Sequence, residues 1–340
     1  MIRRSVPAVI VAALLLLTGC TADPAPEPAP TTTAPAEPPA AAERPYPAFG
    51  GACERVLGAE EVRAASGTAA EPQPLAPYAQ IWAVAALGGL SCRWGEGSDL
   101  VLSATVMPAD AASGPIAEQN AALPSCYAVD APGGARDSCA FGVVADGWLF
   151  AGVLTAAPGV DGAAAAEALG AAFAERAAGA SPETVAAPEG AWATAHADCA
   201  ALDGAVGAAE LLGSPGLAAS AANGPASAGP GVYVALGLTG YLACIWDGGT
   251  GQVPGFSIEV VPGAAWALDD VLRLPGAEEI EVDGAARAVR ASPLVGAELD
   301  YLYLSDGVNL LILEPTYHSV PASALAPIVP ALVAALGAGE

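Results

Sequence analysis

One spacing occurs twice in this chain of 340 residues, and it constrains the fold more than any other feature. Cys53-Glu-Arg-Val56-Leu-Gly58 runs to Gly67, fourteen residues after its cysteine; Cys199-Ala-Ala-Leu202-Asp-Gly204 runs to Gly213, again fourteen on. Cys92-Arg93-Trp94 follows in the first half and Cys244-Ile245-Trp246 in the second, each ahead of a β-type run closed by Pro108 or Pro262. Asp146-Gly147 and Asp306-Gly307 then join two apolar runs, and Ala-rich segments near 162–178 and 321–337 close the halves. Ala and Gly are too common here to mark a repeat. Cys, Trp and Asp-Gly in one order do, so the chain reads as two copies of one domain with loop insertions in the second.

Each copy reads as helix, strands, helix, strands, helix. Cys53 and Cys199 open helices. The runs Gln80–Ala86, Leu90–Trp94, Leu100–Met107, Ala140–Ala145 and Trp148–Thr155 read as strands of the first copy. Val232–Leu238, Leu242–Trp246, Phe256–Val261, Leu299–Leu304 and Val308–Leu313 read as their counterparts, with Ala264–Leu274 as a connecting helix. Asp-Gly between apolar runs signals a tight hairpin, because both residues tolerate positive φ. Short turns between strands imply antiparallel pairing, so the expected fold class is α+β, two tandem antiparallel sheets with flanking helices. The boundaries are 49–178 for the first repeat, 179–195 for a linker and 196–340 for the second.

Six cysteines follow Cys20, and in an exported chain an even set reads as disulfides. Six allow fifteen pairings. The repeat selects Cys53 with Cys92 and Cys199 with Cys244, pinning the first helix to a central strand in each copy, and leaves Cys126 with Cys139 as a loop bridge. Zinc is a poor alternative, since there is no C-x-x-C pair and His196 and His318 lie far from most cysteines.

The exported address comes from residues 1–19. Arg3-Arg4, an apolar run from Val6 to Leu17 and the box Leu17-Thr18-Gly19-Cys20 read as a lipoprotein signal, with Cys20 acylated and retained as the first mature residue. Residues 20–48 then carry the lipidated cysteine and a Pro/Thr-rich tether. Nine prolines and Thr31-Thr32-Thr33 with few large apolar residues cannot pack a core. In the polyproline conformation, at about 3.1 Å per residue, residues 21–44 of the tether reach about 75 Å. The expected location is the extracytoplasmic face of a bacterial cell membrane.

A lipidated cysteine, a Pro/Thr-rich tether, a helix opened by Cys and a strand bearing Cys-x-Trp together resemble actinobacterial lipoproteins of unknown function. More distantly they are similar to the extracellular sensor domain of mycobacterial PknH-type kinases. The resemblance covers residues 50–178 and 196–337 and rests on Cys53, Cys92 and Trp94, and on Cys199, Cys244 and Trp246. It implies a sheet-and-helix domain of PsbP-like type and no enzymatic activity. Two copies and the lack of a kinase segment depart from the kinase pattern.

Charge and composition narrow the chemistry. Asp and Glu number 36 against 11 cations, all Arg, for a net charge of -25, which disfavours nucleic acid and anionic headgroups as partners. The absence of Lys excludes Schiff-base chemistry, a P-loop lysine and a Ser-x-x-Lys pair. No Gly-x-Ser-x-Gly elbow occurs, and His196 and His318 lack a locally paired nucleophile. Gly248-Gly249-Thr250-Gly251 lies between two strand-like runs with no helix after it, so it reads as a hairpin tip. Glu279, Glu281 and Asp283 alternate with Ile280 and Val282, which on a strand gathers three acids on one face as a solvated edge or a weak calcium site. Asp269-Asp270 and Glu60-Glu61 read as exposed helix acids.

Trp94 and Trp246 read as core anchors beside their disulfides. Trp82, Trp148, Trp192 and Trp266 are less constrained and are candidates to line a sugar- or lipid-binding surface. The sequence calls for no cofactor and no metal. The expected function is therefore a non-catalytic envelope lipoprotein that binds a protein, lipid or glycan, with the groove between the copies as default site. A carboxylate-based wall hydrolase and a structural accessory tether are the alternatives.

Overall fold

The computed structural model describes residues 42–338, apart from 77, 98–99, 110–123, 131–133, 195–197, 223–228, 294–299 and 317–319. Cys20, the signal, most of the tether, His196, Leu299 and His318 lie outside the described residues.

The first copy opens with helices Cys53–Val56 (α1) and Ala59–Ser66 (α2). Gly58 between them donates its N–H to Glu61 Oε2 at 2.6 Å, and Gly67 ends α2 in the left-handed region at φ 77°. There follow strand Pro72–Pro74 (β1), helix Ala79–Ala86 (α3), and strands Leu90–Trp94 (β2), Leu102–Pro108 (β3), Ser125–Val129 (β4), Arg136–Ala145 (β5) and Trp148–Thr155 (β6). Helix Gly162–Ala177 (α4) closes the copy, its N-terminus capped by the Asp161 carboxylate, which accepts from the N–H groups of Ala163 and Ala164. The strands pair antiparallel in the order β1-β2-β3-β6-β5-β4. Asp146 at φ 47° and Gly147 at φ 80° make the tight turn between β5 and β6, as their sequence signal leads one to expect.

In the second copy Cys199–Val206 (α5), Ala208–Leu211 (α6), Ala218–Ala221 (β7), Pro230–Thr239 (α7), Leu242–Asp247 (β8) and Phe256–Val261 (β9) come first. A 3-10 turn at Ala265–Ala267 runs into Leu268–Val271 (α8). Strands Glu278–Ile280 (β10), Arg287–Ala291 (β11), Tyr301–Ser305 (β12) and Leu310–Pro315 (β13) follow, and a 3-10 segment, Ala322–Ile328, leads into Val329–Gly337 (α9). The sheet order, β7-β8-β9-β13-β12-β11-β10, repeats that of the first copy with β10 added at the far edge. Register repeats too: Trp94 pairs with Leu102 and Trp246 with Phe256, which aligns Ser103 with Ser257, Thr105 with Glu259 and Pro108 with Pro262.

Two elements expected as strands are helices. Gln80–Ala86 belongs to α3 and Val232–Leu238 to α7. Both are short, and α3 buries Gln80, Trp82, Ala83 and Val84 around much of its circumference. A short helix covered on several sides has no polar stripe to reveal a 3.6-residue period, so a brief apolar run is ambiguous by pattern.

Helices α1, α2 and α4 cover the outer face of the first sheet around Trp94, Phe150 and Phe173; α5, α6 and α9 cover that of the second around Trp246, Phe256 and Leu332. Between the sheets, α3 and α7 pack on each other in a reciprocal exchange. Helix α3 of the first copy lies on β9 of the second sheet, and α7 of the second copy lies on β3, β5 and β6 of the first. The middle core accordingly mixes Trp82, Met107 and Leu149 with Trp266, Val289 and Leu310, and both copies fall within one compact unit, residues 38–340.

The disulfides join Cys53 to Cys92, Cys199 to Cys244 and Cys126 to Cys139, with Cα–Cα distances of 5.7, 5.7 and 4.1 Å. These are the pairings that the repeat selects. Residues 179–194 form no helix or strand but are held down. Trp148 Nε1 donates to Ala180 O at 2.6 Å, and the buried Asn309 amide accepts from Trp192 N–H at 3.0 Å and donates to Gly190 O at 2.8 Å. Among the described residues no helix is long and apolar enough to cross a membrane.

Candidate functional site

The tryptophans divide by position. Trp94 and Trp246 are wholly buried, with their indole N–H groups on Leu57 O at 3.1 Å and Asp203 Oδ1 at 2.7 Å, as core anchors beside the disulfides should be. Trp82, Trp148, Trp192 and Trp266 are also buried and lie in separate places. Trp148 stands 5.2 Å from the Phe49 ring in the first core, Trp192 belongs to the second core, and Trp266 lies under the Arg44 guanidinium at 4.9 Å. They form no common exposed surface. Trp82 lines a cavity that also holds ionisable groups on the inner face of a sheet.

That cavity, about 330 Å³, lies between α3 and the second sheet. Ala76, Tyr78 and Trp82 come from the first copy; Glu259, Tyr301, Tyr303 and Glu314 come from the second. Strand alternation brings the acids together. Glu259 pairs with Ile312 across β9 and β13, so Glu314, two residues further along, occupies the same inward face. Tyr301 and Tyr303 on β12 continue that face, with rings 6.1 Å apart, and the Trp82 ring meets Tyr303 edge-on at 6.1 Å. Tyr78, 39% exposed, forms the rim.

The carboxylates hold a set of hydroxyl donors. Tyr301 Oη donates to Glu314 Oε1 at 2.5 Å, and Ser257 Oγ to Glu314 Oε2 at 3.4 Å. Tyr241 donates to Glu259 and accepts from Gln80 of α3. Burial, with the neighbouring Glu314 charge adding to it, pushes the Glu259 carboxyl up to about 7, although the Tyr241 hydrogen bond acts the other way. Burial raises Tyr241, Tyr301 and Tyr303 well above the usual phenol range, so each remains a protonated donor at neutral pH. Among the described residues no Arg forms an ion pair with Glu259 or Glu314.

Among the described residues, the matching inner face of the first copy carries no such site. Register aligns Glu259 with Thr105, Glu314 with Val153, Tyr301 with Ala140 and Tyr303 with Gly142. Thr105 there hydrogen-bonds Ser91 at 2.9 Å, and α7 sits close: a Cβ on Gly231 would lie 3.0 Å from Thr105 Cβ and 3.1 Å from Ala151 O. Small residues seal one inner face, while large polar ones line the other.

The remaining acids serve elsewhere. Asp269 is exposed and bonds Arg287, whereas Asp270 is buried at the junction of the copies, contrary to its expected exposure as a surface helix acid. A second cavity of about 400 Å³ adjoins it, bordered by Arg44, Trp82, Ser91 and Arg273. Glu279 bonds Arg287 Nε at 3.0 Å, but β10 stops at Ile280, and a turn through Asp283 and Gly284 at φ 84° breaks the alternation expected of Glu279, Glu281 and Asp283. Gly248–Gly251 connects β8 to β9, as a hairpin tip. Among the described residues no group of three or more His, Cys, Asp or Glu is arranged to hold a metal ion. Sequence reasoning missed Glu259 and Glu314 because each stands alone in an apolar strand. Alignment of the two copies carries the missing signal, an acid at 259 where the first copy has Thr105. Comparison with protein families, curated proteins and solved structures finds no match.

Proposed function

We propose that this chain is a lipid-anchored extracytoplasmic lipoprotein of the bacterial envelope whose folded part is a non-catalytic binding module, with the cavity at Glu259, Glu314 and Trp82 as its ligand site. The observation that supports this most is the divergence of the two inner faces. A fold built only to space another component gains nothing by replacing Thr105 and Val153 with two half-buried acids in the other copy, a replacement that costs desolvation energy. The cavity volume falls at the small end of ligand pockets, which run from about 300 to 1,000 Å³. Native mass spectrometry of protein purified from its own host tests the reading: a retained small molecule is expected from wild type and not from the Glu259→Gln, Glu314→Gln double variant. Equal, ligand-free spectra of both count against it. The anchor is tested separately by Cys20→Ser, which should move the protein from the membrane to the medium.

One observation favours a second reading as a carboxylate-based wall hydrolase. A carboxyl raised to about 7 beside another carboxylate is the pairing that glycosidases use as acid and base. Time-dependent release of reducing ends from host wall extract, lost in Glu259→Gln, would establish that reading over the binding module.

A further inference from the structure

The contents of the cavity limit what can enter it, given the reading of it as a binding site. Tyr301 and Ser257 already donate to Glu314 and Tyr241 to Glu259, while the hydroxyls of Tyr303 and of Tyr78 at the rim belong to the same lining. What a ligand meets is chiefly carboxylate acceptor capacity and aromatic surface, with the two phenol hydroxyls of Tyr78 and Tyr303. Two acids and no paired Arg would repel a fatty acid, a phosphate or an anionic sugar. A neutral sugar would leave both carboxylates without a countercharge. A hard divalent cation needs about six or more oxygen ligands, far more than two carboxylates already carrying hydroxyl bonds supply among Trp and Tyr rings.

We propose that the cavity takes a small organic ammonium ion with an apolar or aromatic body, its charged head between Glu259 and Glu314 and its body against Trp82, Tyr301 and Tyr303. Each part of such a ligand meets a need that the protein leaves open. The ammonium donates charge-assisted hydrogen bonds to carboxylates that lack a cation, and the electron-rich ring faces favour a cation further. The body covers Trp82, Ile312 and Pro293, which are apolar lining of the same cavity. The overall charge of -25 draws cations toward the protein as well. The groups that face Glu259 are Gln80 and Tyr78 from α3 and its approach, Tyr241 ahead of β8, and Glu314, Tyr301 and Tyr303 from the neighbouring strands; none is cationic. A bound ammonium therefore favours the ionised form of Glu259, and capture should strengthen as pH rises through neutrality.

The test uses three probes of similar shape on the full lipoprotein in detergent: phenethylamine, which is cationic at pH 7.5, 2-phenylethanol, which is neutral, and 3-phenylpropionate, which is anionic. Calorimetric titration should give binding of the amine, at least tenfold weaker binding of the alcohol and none of the carboxylate. Glu314→Gln should weaken amine binding at least tenfold at pH 7.5 while its near-ultraviolet circular dichroism matches wild type. Glu259→Gln should abolish the gain in affinity between pH 6 and pH 8. Alcohol or carboxylate binding as tight as the amine overturns the ligand class and leaves the cavity as a site for something else. Binding of none of the three also overturns the class, and the native mass spectra then decide whether the cavity is a site at all.

Discussion

Trp82 Nε1 of the first copy lies 3.3 Å from Asp270 Oδ2 of the second. Asp270 is 8% exposed and also receives Arg44 Nη1 at 3.1 Å and Arg273 Nη1 at 2.7 Å, so one buried carboxylate ties the end of the tether, a middle-layer helix and the second copy together. Asp270→Ala should lower stability by about 1.5–3 kcal/mol, the range for hydrogen bonds to a charged group. Arg273→Ala should cost less than about 1 kcal/mol, because that side chain is 72% exposed and water replaces its bond. Urea midpoints of the two variants check the ordering.

Two glycines of α7 make an internal comparison. Alanine improves helix propensity by about 1 kcal/mol at either position. At Gly237 nothing lies within 4 Å of the added methyl, so Gly237→Ala should stabilise by about that amount. At Gly231 the methyl meets Thr105 Cβ at 3.0 Å and Ala151 O at 3.1 Å, and overpacking of about 1–3 kcal/mol outweighs the gain. Thermal melts should move in opposite directions, with Gly231→Leu lower still.

Glu259 gives a pH signature. Its carboxyl rises from 4.5 in the unfolded chain to about 7 when folded, so the native state binds the extra proton between those values. The associated stability is fully present below pH 4.5 and is lost as pH rises through 7. A shift of that size corresponds to roughly 3 kcal/mol at most. Glu259→Gln should flatten this component of the stability profile and melt above wild type at pH 8; parallel profiles from pH 5 to pH 8 would contradict it.

Loss of a long disulfide should matter more than loss of the short one. Chain entropy gives about 4 kcal/mol for the bridges whose sequence separations are 39 and 45, and about 3 for the one spanning 13. Cys199→Ser with Cys244→Ser should therefore lower the guanidinium midpoint more than Cys126→Ser with Cys139→Ser, read on oxidised protein.

What the sequence makes legible is what rare residues carry. Cys and Trp mark α1, β2, α5 and β8 and their bridges, and Asp146-Gly147 marks its hairpin, because each encodes a local or covalent constraint. Helices α3 and α7 escape because what distinguishes them from strands is the company of the opposite copy. The candidate site escapes for the same reason. Glu259 and Glu314 are 55 residues apart and gain their meaning from strand register, while Trp82 reaches them from 177 residues before Glu259. Trp192, placed in a polar linker, is buried because Asn309 holds that segment onto the second sheet.

The reciprocal placement of α3 and α7 bears on why the two copies share one chain. A protein carrying a single copy would close the same middle layer as a symmetric dimer, each subunit lending its helix to the other. In such a dimer every substitution appears twice: an acid at the Thr105 position would appear on both inner faces, and a small residue at the Gly231 position would seal both. Fusion lifts that restriction. One half is free to specialise as a closed scaffold and the other as an open, acidic chamber, so asymmetry between Thr105 and Glu259 is available to a fused pair and forbidden to a homodimer.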